Sequence, residues 1–210
     1  MLAAAGHGNT ETRDRQPAVL NAPLFRTLAD ELESAHHKVV LDLGAASTRM
    51  LALLGRSSCL VEIADLARCG GIDALNMDVS DSARDEIAES LLPERFTADP
   101  VDYIFCWDLP NYLHPPGLSA LMRAIAYRAR PGARAHALVA YSERNMAAAP
   151  GRFLPTEDDK LVNAAAPGGQ VAAPRYSPED LGRIMDDFEI DRARLLANGM
   201  QEFLFRMRSR

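Results

Sequence analysis

Four aspartates, Asp42, Asp65, Asp78 and Asp108, each fall at or just past the end of an apolar run, and they define the chemistry open to this 210-residue chain. The first closes Lys38 to Gly44, KVVLDLG, which reads as a buried strand turning through Ala45, Ala46, Ser47 and Thr48 into a helix-like run ending at Leu54. A strand, a small-residue turn and an open helix N-terminus can hold a nucleotide-like ligand, because free backbone N–H groups point at it. Ala46 and Thr48 stand where a fully glycine-rich loop has glycines. At the other end of the expected site, Trp107, Asp108, Asn111 and Tyr112 cross the end of the run VDYIFC. With His114, Tyr141 and Glu143 they are the polar groups available to position a nucleophile or move a proton. Asp108, Tyr112 and His114 are the catalytic candidates among them.

The elements that must hold these residues alternate. Leu24, Phe25, Leu28, Leu32 and Ala35 recur at helical spacing after Pro23, giving an amphipathic helix, with His36 and His37 expected at its C-terminal end. Cys59 to Ile63 is a second strand ending near Asp65, and Ile72 to Met77 reads as a third closing on Asp78 and Val79. Ser80 to Leu92 is a helix that Pro93 ends, and Val101 to Cys106 is apolar enough for a central parallel strand. A helix carrying Leu118, Leu121, Met122 and Ile125 leads to a fifth strand, Arg134 to Ala140. Residues 145–176 break the rhythm with small residues and glycines, and read as a lid or insertion loop. Ser177 and Pro178 begin the last helix, and Phe188 to Leu196 with Met200 to Met207 form a terminal hairpin. The pattern predicts an α/β fold, doubly wound, with a mostly parallel seven-stranded sheet, helices on both faces and a C-terminal antiparallel hairpin. Residues 1–16 are expected to be a mobile tail, and 17–210 a single domain.

Composition narrows the partners. With 29 acidic and 23 basic residues the chain is net negative, and its basic residues are scattered, which argues against a broad nucleic-acid surface. Arg206, Arg208 and Arg210 read as one solvated strand face. Cys59, Cys69 and Cys106 form no CxxC pair and the five histidines are not at metal-ligand spacings, so no metal site is expected. No apolar stretch reads as a signal peptide or a membrane span, and a cytoplasmic protein is the expectation.

Taken in order, VVLDLGAAST, the acidic residue after the second strand, NMD, VDYIFCWDLPNYL, ARPGARAHALVA and SPEDL…FEI…QEFLF resemble the class I S-adenosylmethionine-dependent methyltransferases over Pro23 to Arg206. The resemblance implies S-adenosylmethionine as cofactor, with Asp42 beside its methionine portion and Gly44 and Ala46 in the turn beneath it. It implies Asp65, 23 residues after Asp42, as the ribose ligand, with Glu62 as the other acidic candidate. Asp78 and the Val79 backbone match the position that reads the adenine amino group, and Trp107 and Asp108 the edge facing the methyl group. Thr48 departs from the pattern, since a β-branched residue resists positive φ, although its hydroxyl can cap the following helix.

The activity so implied is in-line methyl transfer to a small-molecule or protein substrate. WDLPNY is only loosely similar to the Asp-Pro-Pro-Tyr motif of nucleic-acid amino methyltransferases, and the fifth strand lacks the lysine of the ribosomal RNA ribose methyltransferases. Both nucleic-acid readings rank lower. The alternative of a different class is a catalytically inactive methyltransferase-like protein serving as a binding or regulatory partner. Neither the methyl acceptor nor an oligomeric state is legible in the sequence.

Overall fold

The computed structural model describes residues 18–34, 36–95, 97–142, 144–158, 160–164 and 168–209. The expected tail at residues 1–16 and the candidate Glu143 lie outside them. In chain order the elements are β1 (Ala18–Leu20), α1 (Pro23–Glu33), β2 (His36–Asp42), α2 (Thr48–Leu54), β3 (Ser58–Ile63), α3 (Gly71–Leu75), α4 (Asp81–Leu91) and β4 (Val101–Trp107). A 3-10 turn, Leu109–Tyr112, then leads to α5 (Pro115–Arg128), β5 (Ala129–Ala140), β6 (Asn145–Ala147), β7 (Arg152–Pro155), β8 (Leu161–Ala164) and β9 (Gln170–Ala172). The chain finishes with α6 (Pro178–Ile184), β10 (Phe188–Leu195) and β11 (Met200–Met207).

The central sheet runs β10-β11-β5-β4-β2-β3, with β3, β2, β4 and β5 parallel, β11 antiparallel to β5, and β10 antiparallel to β11. Because strand side chains alternate, each strand feeds two apolar layers. Val39, Leu41, Ile104, Cys106, Phe203 and Phe205 pack against one face with α4, α5 and α6. Val40, Phe105, Trp107, Leu138 and Leu204 pack against the other with α1 and α2, where Phe153 of β7 and Leu161 of β8 join them. The order of strands reverses between β2 and β4, since β3 lies on one side of β2 and the later strands on the other. In open α/β sheets that reversal leaves a crevice outside the carboxyl ends of the strands.

Among the described residues the central sheet has six strands, where seven were expected. Ile72 to Met77 does not form a strand: Gly70, at φ 73°, turns the chain into α3, whose Ile72 and Leu75 are three residues apart and share a helical face. Buried Arg84 then holds the turn in place by donating to the carbonyls of Leu75, Met77 and Val79. Residues 145–176 also differ from a simple loop. They carry β6 to β9, with β8 bridging β7 and β1 in a small antiparallel sheet. His36 and His37 belong to the start of β2 rather than to the end of α1.

Helix α1 shows how distant sequence fixes local structure. Its N-cap, Ala22, has no side chain to satisfy the first-turn N–H groups. Glu202 of β11, fully buried, accepts from Leu24 N at 3.0 Å and Phe25 N at 2.7 Å and lies 2.9 Å from His136 Nε2. A buried carboxylate deprived of partners, or buried donors deprived of it, is costly. Glu202→Ala should lower stability by roughly 3 kcal/mol or more, and Glu202→Gln by less because one oxygen still accepts. Urea denaturation checks this; a loss below about 1 kcal/mol for the alanine variant would contradict the role given to Glu202.

Candidate functional site

The crevice at the strand reversal is bounded by the ends of β2 and β4. Asp42, the last residue of β2, is buried, and its Oδ1 accepts from Gly44 N at 2.9 Å and from the Trp107 indole Nε1 at 2.6 Å. Trp107 takes φ +52°, a left-handed conformation that a bulky residue rarely adopts, where the β4–β5 register also shifts. The indole lies so close to the turn that a Cβ on Gly44 would fall 2.7 Å from Trp107 Cδ1, so only glycine fits at position 44. Ser47, and not Thr48, caps α2: its Oγ accepts from Met50 N at 3.0 Å. Neither Ala46 nor Thr48 is at positive φ, so the two replaced glycines impose no backbone strain here.

The inserted segment covers this turn. The Phe153 ring stacks on Trp107 with centroids 5.8 Å apart and planes 6° from parallel, while Arg152 Nη2 donates to Ala46 O at 3.1 Å. Between Asp42, Gly44, Ser47, Met50, Trp107 and Phe153 there remains a cavity of about 10 Å³. That is about the room for one water.

Asp65 follows β3, and the two turns are tied by Ala64 N donating to Asp42 O and Leu66 N to Leu43 O. Its own φ is +43°, and its buried Oδ1 has no hydrogen-bond partner. Burial pushes the Asp42 carboxyl up to about 6, offset in part by the Trp107 and Gly44 bonds and reinforced by the charge of Asp65. Glu62 is buried within β3, as a strand residue.

Asp108 sits one residue past β4, fully enclosed. Its Oδ2 accepts from Gly151 N at 2.9 Å, its Oδ1 is unpartnered, and burial pushes its carboxyl up to about 7. The Tyr112 hydroxyl lies between the carbonyls of Ala147 and Ala149, at 3.1 and 2.9 Å, and its ionisation is pushed up by burial and by the Asp108 charge. Asn111 is fully engaged, donating to Asp108 O and Leu138 O and accepting from Ala140 N. Cys106 is a packed core thiol that burial pushes up to about 12.

The structure therefore brings Asp42, Gly44 and Trp107 into one contact set, with Asp65 near enough for its charge to act on Asp42, and joins Asp108 and Tyr112 through the inserted segment. It does not bring in the rest. Asp78 is exposed in the turn between α3 and α4, the Val79 N–H is spent on Met77 O, and Ala46 contributes its carbonyl to Arg152. His114 is exposed at the N-cap of α5 and Tyr141 is half-exposed. Gly151, Arg152, Phe153 and Asn163 were not singled out by sequence. The one available signal was Phe153 itself, the only phenylalanine between Asn145 and Tyr176.

Among solved structures, an S-adenosylmethionine-dependent methyltransferase from Clostridium acetobutylicum aligns with a TM-score of 0.52 at 11% identity, over 88% of this chain and 90% of that one. The chain has the methyltransferase fold. The 1,6-didemethyltoxoflavin-N1-methyltransferase of Burkholderia thailandensis, solved with 1,6-didemethyltoxoflavin and S-adenosylhomocysteine bound, aligns with a TM-score of 0.48 at 17% identity, over 90% of this chain and 80% of that one. No protein-family model matches the sequence, and no curated protein does. Among the described residues, no helix is long and apolar enough to cross a membrane. Among the described residues, β3 is the edge strand of the sheet, and the β6–β9 segment reaches over the crevice through Arg152 and Phe153.

Asp42 and Asp108 give the fold a pH dependence with a definite sign. Both hold a proton in the folded chain up to about 6 and about 7, against an ordinary value of 3.8. The resulting stabilisation is complete below the ordinary value and is lost as pH rises through the folded ones. Stability in urea should fall between about pH 4 and about pH 7, on the order of a few kcal/mol, and level off above that, and Asp108→Asn should flatten the decline. A stability that rises over that interval would contradict the burial argument.

Proposed function

We propose that the chain is an S-adenosylmethionine-dependent methyltransferase acting on a small-molecule or protein substrate. The observation that carries this reading is the strand-reversal crevice of a methyltransferase fold, edged by Asp42 and Gly44 and flanked by Asp65, whose buried Oδ1 lacks a partner. A carboxylate oxygen with no donor is costly unless something supplies one, and a ribose hydroxyl is such a donor.

The donor set fits the cofactor, and the volume does so only after a movement. A nucleoside needs a few hundred Å³, against the present 10 Å³ or so. Phe153 and Arg152 of the inserted segment stand over the crevice, against Trp107 and Ala46. We therefore read residues 145–176 as a lid that must swing off Trp107, a motion of the kind that gates many enzymes. In the open state Asp42, Gly44 and Asp65 are the residues assigned to hold the cofactor, while Ala46 is freed when Arg152 leaves.

S-adenosylmethionine, when bound, supplies an already activated methyl group, so the protein's part is positioning and proton handling. Asp108 is assigned the latter, because its buried carboxyl titrates near neutrality, at about 7. Tyr112 acts on the lid through its bonds to the Ala147 and Ala149 carbonyls rather than on the substrate. His114, exposed at its helix end, is left without an assigned step.

Calorimetric titration with S-adenosylhomocysteine tests the reading. Binding should be detectable in the wild type, several-fold tighter in Phe153→Ala, which removes the stacked ring, and several-fold weaker in Asp65→Ala. No heat and no thermal shift at millimolar ligand in either the wild type or Phe153→Ala would favour the non-catalytic alternative, in which the filled crevice is permanent.

A further inference from the structure

Beside the crevice, on the other side of Gly151, lies a second cavity of about 180 Å³. Its walls include Asp108, Tyr112, Met146, Gly151, Asn163 and Met200. Two of these residues present buried oxygens with no donor: Asp108 Oδ1 and Asn163 Oδ1. Asp108 is 6% exposed, and its other oxygen is held by Gly151 N. Asn163 reaches the same glycine from β8, since a Cβ on Gly151 would meet its Oδ1 at 2.5 Å. Buried polar atoms are nearly always partnered, so two bare acceptors, each just beneath the surface of residues that wall one cavity, are unusual. Asn111, Asn145 and Asn198 also line it, and Met146 and Met200 supply adaptable apolar surface.

We infer that this cavity binds a small ligand carrying a primary amino group on an apolar body, the N–H donors meeting Asp108 Oδ1 and Asn163 Oδ1. The volume fits a body of about benzene size with its substituent, given that cavities of about 150 Å³ accept benzene. A hydroxyl offers one donor against two acceptors, and a quaternary ammonium offers none. A carboxylate or phosphate would set its charge against the bare oxygens. Donor number therefore selects the ligand. The identification of this ligand as the methyl acceptor rests on the proposed function, whereas the binding itself does not.

The test uses benzylamine, benzyl alcohol and benzyltrimethylammonium, each titrated calorimetrically into the full chain at pH 8 without cofactor. Benzylamine should bind, and the other two should bind at least tenfold more weakly. Asp108→Asn keeps an oxygen for Gly151 N but turns an amide N–H2 toward the cavity, and should weaken benzylamine at least tenfold. Asn163→Ala, on a separate strand, should weaken it severalfold and serves if the first variant does not fold. In the wild type, the Gly151 amide resonance should move with benzylamine. Absence of benzylamine binding at 10 mM, or equal affinity for the amine and the quaternary ion, would overturn the inference. So would benzylamine affinity unchanged in both variants. Each of these outcomes leaves the S-adenosylhomocysteine titration free to succeed, so failure here and failure of the methyltransferase reading are distinguishable.

Discussion

The bond from the Trp107 indole to Asp42 Oδ1, at 2.6 Å, is the constraint on which the site depends. It joins the ends of the two strands between which the sheet order reverses, and it holds Trp107 at a positive φ that the residue would not choose alone. Gly44 follows from it, because the indole occupies the space of a Cβ. The raised Asp42 pKa follows as well, since burial under the ring outweighs the two hydrogen bonds the carboxylate receives. The same ring provides the face on which Phe153 stacks. Strand ends, turn sequence, protonation and closure are therefore one arrangement.

A second connection runs through Gly151. Its N–H is held by Asp108, its Cα is crowded by Asn163, and its neighbour Arg152 reaches back to Ala46. The inserted segment thus touches both the cofactor-side turn and the cavity with the bare acceptors. Phe153, stacked on Trp107, and Gly151, bonded to Asp108, are separated by one residue.

Much of the fold was legible in the sequence because its signals are local. The apolar run of Val101 to Cys106, the Ser177-Pro178 helix start and the closing hairpin all appear where their patterns put them. Ile72 to Met77 misled because a short apolar run does not distinguish strand from helix, and what decides it is tertiary: Arg84 gathers three carbonyls and Leu75 is buried beneath α5, where its carbonyl lies 2.7 Å from a Cβ position on Gly117. Asp42 and Gly44 stood out in the strand-turn-helix pattern, and Trp107 separately at the end of the Val101 to Cys106 run. Their closure by Phe153 did not, because the partner lies more than forty residues away in a segment whose small residues carry no period. Glu202 capping α1 is the same lesson at greater separation, 178 residues along the chain.

Trp107 is the only tryptophan in the chain, and it forms the floor of the closed crevice. Its emission therefore reports directly on the central claim, that a nucleoside ligand enters by displacing Phe153 from the indole. Titrating S-adenosylhomocysteine into the full chain while following tryptophan fluorescence should give a saturable change in emission whose midpoint matches that of the calorimetric binding curve. An emission spectrum unchanged through saturation of the binding heat would contradict the claim, because the ligand would then sit elsewhere and the Trp107–Phe153 stack would be a fixed part of the core.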